Sequence, residues 1–211
     1  GIEFYLSKRT ILTLSGTAGI QRFTTRTTSF MNELDNNKVK TSALDFINRI
    51  TDKPVNYTTN LHLIHQVDTF GKEIIADLDY SNYINNTIQD INNLFYDANS
   101  SFTDQSNIIL DQVRHLDIYA AKVDYSQPLK NSGRLEFGLK SSYVKANNDN
   151  KYYEIVSNVK TIDSSLSDYT INDENINAVY VNFDKQFGKK ITIQAGVRAE
   201  PVDLVLRRLS G

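Results

Sequence analysis

Apolar and polar side chains alternate with a period of two along most of the chain, and helical periodicity is weak. Residues 2–6 open with one short apolar run, and residues 10–22 set Leu12, Leu14, Ala18 and Ile20 against Thr13, Ser15, Thr17 and Gln21. Residues 55–67 place Tyr57, Thr59, Leu61 and Leu63 opposite Asn60, His62 and Gln66. In residues 73–84, Ile74, Ala76, Leu78 and Tyr80 oppose Glu73, Asp77, Asp79 and Ser81. The second half of residues 108–125 sets Tyr119, Ala121, Val123 and Tyr125 against Lys122 and Asp124, and residues 134–145 set Leu135, Phe137, Leu139 and Tyr143 against Arg134, Glu136, Lys140 and Ser142. Residues 176–184 and 191–200 read as a last hairpin, in which Ile191, Ile193, Ala195 and Val197 oppose Thr192, Gln194, Arg198 and Glu200. Side chains two apart on a strand share a face. The pattern therefore predicts an all-β chain, an antiparallel up-and-down meander of about eight strands.

The connections are unequal. Short turns near Ser7, Gly71, Pro128 and Gly188 alternate with long polar stretches at 23–54, 85–107 and 146–173. A helical turn is expected near 42–49, where Leu44, Phe46 and Ile47 could share a face. In a meander all the short turns fall at one end and all the long loops at the other, which is the architecture of outer-membrane barrels. The expected strands are also long enough for the ~9–11 residues that cross a bilayer at a tilt.

Two features bear on which face meets lipid. The polar face carries charges in mid-strand: Glu73, Asp77, Asp79, Lys122, Asp124, Glu136, Lys140, Arg198 and Glu200 are expected to face a wet lumen, where they can pair across strands. Leu78, Val123, Leu139 and Ile193 are expected to face lipid. Tyr57, Tyr80, Tyr119, Tyr125 and Tyr143 sit near the ends of apolar faces, as an aromatic girdle would. Alternation alone also fits a soluble β-sandwich, such as an adhesin-like module with glycan-binding loops, or a small complete barrel acting as a pore or anchor.

Composition narrows the chemistry. With 23 basic and 25 acidic residues the formal charge is −2, and basic residues come at most in adjacent pairs such as Arg207-Arg208, so nucleic acid is not an expected partner. No apolar run approaches the roughly 18 residues of a membrane helix. The absence of Cys removes disulfides, thiolate zinc sites and Cys nucleophiles. His62 and His65 fall on opposite faces of a strand, which disfavours a metal site, and Asp77 with Asp79 reads as lumen charge rather than as an acid–base pair. No phosphate loop, nucleophile elbow or Ser/His/Asp set is present. The expectation is a non-enzyme without a cofactor.

Several runs resemble TonB-dependent receptor barrels. Residues 71–81, GKEIIADLDYS, resemble a hairpin of that family with a D-x-D-Y-S strand; residues 121–128, AKVDYSQP, look like its K-x-D-Y-x-x-P strand end. Leu135-Glu136-Phe137-Gly138-Leu139-Lys140 is similar to its LE-x-G-x-K strand, and Phe187-Gly188-Lys189 followed by Gln194-Ala195-Gly196-Val197-Arg198-Ala199-Glu200 resembles its FG-K…LQ-x-G-x-R-x-E hairpin. The four matches come in the family's order across residues 55–200. The resemblance implies residence in the Gram-negative outer membrane, uptake of a nutrient ligand whose identity is unknown, and an energy-coupling inner-membrane complex acting through a plug domain. No plug or signal segment is read in these residues, so the expectation is that residues 1–200 are a segment of a transmembrane barrel. Residues 201–211 depart from the pattern and form an unassigned tail.

Overall fold

A computed structural model describes residues 1–130, 133–157, 159–188 and 190–209. All ten strands among them lie in one antiparallel sheet: β1 (Ile2–Ser7), β2 (Thr10–Ile20), β3 (Phe23–Leu34), β4 (Lys40–Gln66), β5 (Glu73–Asp97), β6 (Phe102–Leu129), β7 (Gly133–Val156), β8 (Val159–Phe187), β9 (Ile191–Ala199) and β10 (Val202–Leu209). The ten make eight strand paths. β2 and β3 pair with successive halves of β4, and β9 and β10 with successive halves of β8. The predicted all-β meander of about eight strands is the observed one.

Proline accounts for the first break. The Pro54 carbonyl accepts from the Gln21 amide at 3.0 Å, and a proline has no N–H to return to the same neighbour. The β2–β3 path interrupts at that point. The second break falls at Glu200-Pro201, where the Asn177 amide donates to the Pro201 carbonyl at 3.1 Å before β10 resumes the ladder. Most of the tail left unassigned by the pattern is therefore an edge strand; Ser210 and Gly211 lie outside the described residues, as do Lys189 of the last turn, 131–132 of the turn after Pro128 and residue 158.

The expected short turns do fall at one end, but the long polar stretches at the other end are strand rather than loop, and the connections at 35–39 and 98–101 are short as well. β4 to β8 run 27, 25, 28, 24 and 29 residues, against the ~9–11 of one crossing. The helical turn expected near 42–49 is strand too. Its residues pair with β3 on one side and with β5 on the other, so tertiary pairing overrides the local pattern.

Three hairpin turns share one device. Asp35, Asp68 and Asp97 each accept through Oδ1 from the amides two and four residues on, at 2.8–3.1 Å. The residue three positions on has positive φ: Lys38 (63°), Gly71 (94°) and Ser100 (66°). Only the middle turn uses the residue that takes this conformation at no steric cost.

The sheet has a single layer. Its accessible surface is 14374 Å², whereas a compact 24.0 kDa monomer would expose about 9,900 Å². Ala43, Leu110 and Ala178 are the buried apolar residues among those described. A β-sandwich needs a second sheet to cover its apolar face, so the soluble sandwich reading is set aside.

Candidate membrane interface

Strand register fixes the faces. Leu78 stands opposite Ala121, Val123 opposite Leu139, and Leu139 opposite Val179. β9 joins this face through Val181↔Val197, which places Ile193 on it as well. This apolar face is open, with Leu139 61% and Leu78 56% exposed.

The polar residues occupy the other face. Asp77, Lys122 and Lys140 form one row across β5, β6 and β7; Glu73, Ser126 and Glu136 form another; Asp124 and Gly138 precede Tyr180, which stands opposite Arg198. Asp79 lies two residues from Asp77 on the same face, and Glu200 lies just past the end of β9. Partners there are local. His62 Nδ1 lies 2.6 Å from Asp77, Asn60 donates to Asp79 at 2.8 Å, Lys122 pairs with Asp124 at 2.6 Å, and Arg134 pairs with Glu136 at 2.9 Å. Tyr180 donates to Asp124, and Arg198 pairs with Glu200. Lys140 and Glu73 have no ion pair among the described residues. Asp77 and Asp79 thus engage separate partners. His65, on the opposite face from His62, meets Thr10 at 2.9 Å. Among the described residues no three His, Cys, Asp or Glu side chains cluster as metal ligands.

The apolar face has a sharp upper boundary. Thr59, Tyr80, Tyr119 and Tyr143 stand in one transverse row on β4 to β7. Tyr80 and Tyr119 stack at 4.8 Å, and Tyr57 meets Tyr80 edge-on at 5.7 Å. The next outward row, one step farther from the short turns, is Asn82, Asp117, Lys145 and Asp173. The phenols reach into it. Tyr80 donates to Asp117 at 2.9 Å and Tyr143 to Asp173 at 3.0 Å. Asn82, 2% exposed, donates to both Asp117 and His115, and Arg207 of β10 pairs with Asp173. Below the tyrosines, β7 turns Leu135, Phe137 and Leu139 outward, and β8 turns Val179, Val181 and Phe183. From Leu135 to Tyr143 the band has the length of one bilayer crossing.

The outward face thus carries an apolar band, amphipathic rings at its edge with hydroxyls bonded to carboxylates, and a charged row immediately beyond; outer-membrane barrels carry an apolar band edged by aromatic girdles in the same way. Of the five tyrosines expected at an edge, Tyr80, Tyr119 and Tyr143 form this row, Tyr57 stands opposite Asn82 in the row beyond, and Tyr125 lies toward the short turns between Ile74 and Phe137. The charged row was not legible in the sequence, because Asp117, Lys145 and Asp173 come from three strands and only the register aligns them.

A family model described as an outer membrane protein beta-barrel family matches residues 65–209. No curated protein matches the chain.

Proposed function

Since the chain belongs to the outer membrane protein β-barrel family and so resides in the outer membrane of Gram-negative cells, we propose that it is part of the wall of a TonB-dependent receptor that takes up a nutrient. One observation carries this reading. Among the described residues, β1 at one edge pairs only with β2, and β9 and β10 at the other edge pair only with β8. An open edge cannot persist in lipid, where each unpaired backbone group costs several kcal/mol. The edges therefore need partners, which further strands of a wide receptor barrel would supply. The four ordered sequence resemblances support the same reading.

This reading assigns the roles as follows. The outer band holds the wall in the bilayer. The charged inner face lines a wet lumen. The strand extensions beyond the tyrosine row carry ligand contacts outside the cell, and energy coupling acts through a plug and an inner-membrane complex. On this reading the chain binds and conducts rather than catalyses.

A second reading is a small complete barrel acting as a pore or anchor. It is favoured by the count of eight strand paths, the smallest complement of outer-membrane barrels. Because the chain has no Cys, cysteines introduced singly along β1 and along β9 in the native gene product report closure directly. The receptor reading expects no β1–β9 disulfide in outer membranes. A disulfide formed in high yield at one register would establish the small barrel instead.

A further inference from the structure

Asn82, His115 and Asp117 form a cluster that the wall itself does not require. Asn82 of β5 stands opposite Asp117 of β6 and is 2% exposed. Its Nδ2 donates to His115 Nε2 at 2.6 Å and to Asp117 Oδ1 at 2.7 Å, and His115 Nε2 lies 3.3 Å from Asp117 Oδ2. An imidazole nitrogen that accepts a hydrogen bond is unprotonated and turns its lone pair toward the donor. A lone pair and a carboxylate therefore converge on the place that the Asn82 amide nitrogen holds. Asn82 Oδ1 is meanwhile buried with no hydrogen-bond partner among the described residues, which is costly for a carbonyl. Asn147 of β7 stands opposite His115, and its Oδ1 is buried and unpartnered too.

We infer that these residues form a site for a divalent transition metal of the Zn²⁺ kind, bound by His115 Nε2, the Asp117 carboxylate and, after a half-turn of its amide, Asn82 Oδ1. The half-turn exchanges Nδ2 and Oδ1. It brings the orphaned oxygen to the point on which the other two donors converge, so the ion replaces the N–H groups and the buried carbonyl gains a partner. The spacing suits such an ion. Ligands about 2.0–2.2 Å from one zinc stand about 2.8–3.5 Å apart, and the three positions here are 2.6–3.3 Å apart before any adjustment. The imidazole favours zinc-like ions over Mg²⁺ and Ca²⁺, which take oxygen ligands. Tyr80 donates to Asp117 Oδ1 at 2.9 Å and so orients the carboxylate from outside the ligand set. Asn147 Oδ1, across from the imidazole, is placed to serve as a fourth ligand. One charge opposes the ion: Lys145 stands opposite Asp117, although the two make no ion pair among the described residues. A bound ion fastens β5 to β6 just beyond the tyrosine row, in a receptor wall and in a small complete barrel alike.

The test is a calorimetric titration of the native gene product, folded in mild detergent and stripped with a chelator, with Zn²⁺ alone. One ion should bind per chain. His115→Ala should lower the affinity by at least about tenfold, since even the loss of an outer-shell partner costs that much. Asn82→Asp presents an oxygen without the half-turn and should tighten binding, and Lys145→Gln, which removes the opposing charge, should tighten it too. His62→Ala should leave binding unchanged, because the His62–Asp77 pair lies on the other face. The heat-modifiable folded form, measured for each variant, separates a lost ligand from a lost fold. No Zn²⁺ binding by the folded native protein, unchanged affinity in folded His115→Ala, weaker binding in folded Asn82→Asp, or loss of binding in His62→Ala would each overturn the site.

Discussion

Gly138 of β7 stands directly opposite Tyr180 of β8, and the phenol ring occupies the space above the glycine on the polar face. A β-carbon at 138 would overlap the ring carbons and the hydroxyl. The ring is held there by its hydrogen bond to Asp124, which in turn pairs with Lys122. Two other glycines on this face are covered in the same way by the residue opposite, Gly19 by Asn56 and Gly196 by Asn182.

Gly138→Ala should therefore destabilise the wall by about 1–3 kcal/mol, the usual cost of forcing extra volume into a filled site. Urea unfolding of the vesicle-inserted protein measures it. In a Tyr180→Ala background the same change should cost close to nothing, because the clash partner is gone. A penalty of the same size in both backgrounds would show that the ring contact is not its cause.

The two faces make a paired prediction. Leu139→Arg places a charge at mid-band on the outer face, and arginine at the bilayer midplane costs about 2–4 kcal/mol. Lys140→Leu, one residue away on the polar face, should be tolerated. Assembly into the outer membrane, read as the heat-modifiable folded form, should fall for the first and persist for the second. Equal behaviour would undo the inside–outside assignment.

Ser100 and Lys38 hold left-handed backbone with side chains that do not favour it. Ser100→Gly should stabilise the β5–β6 hairpin by up to about 1 kcal/mol. Slower amide exchange at Asn99 and Ser101 would register it. Asp97→Ala removes the acceptor for both amides and should speed exchange there.

Asp68 sits in the turn before β5, outside the band. Hydrogen bonding from the Lys72 amide, chiefly, holds its carboxyl below the usual carboxylate range, with further help from the Phe70 amide and the Lys72 ammonium 3.6 Å away. A depressed folded pKa means that the contribution is fully present above the unfolded value and is lost as pH falls through the folded one. Amide protection at Phe70 and Lys72 should thus persist at neutral pH and fade in acid below the ordinary Asp range. In Asp68→Asn that acid-dependent step should be missing.

These turns also explain what the sequence disclosed. Gly71 marks the β4–β5 turn, so the alternation from Glu73 onward can be read directly. The turns at Asp35 and Asp97 use the same carboxylate device but place Lys38 and Ser100 where the glycine would be. Without that punctuation the flanking polar segments look like loops, although they are the upper halves of paired strands. Their many Asn and Asp residues further disguise them, since those types are depleted in strands and owe their place here to cross-strand partners such as Asn150–Asp168. β10 was hidden for a related reason: Pro201 breaks the pattern, and only pairing with β8 restores it. The apolar and polar sets were legible because period two assigns faces within a strand. Contacts between strands, such as Tyr180 over Gly138 or Lys145 between Asp117 and Asp173, depend on register, which alternation does not specify.

The central claim is a wall whose outer band lies in the bilayer, with the long hairpins outside the cell and the short turns inside. The chain has no Cys, so single cysteines at Asn99, Thr69 and Leu139 can be tested with a bulky, membrane-impermeant maleimide on intact cells. Asn99→Cys, at a hairpin tip, should label at once. Thr69→Cys should label only after the outer membrane is opened. Leu139→Cys should resist the impermeant reagent in both states and react with a lipid-soluble one. Labelling of all three on intact cells, or of Thr69→Cys before Asn99→Cys, would contradict the account.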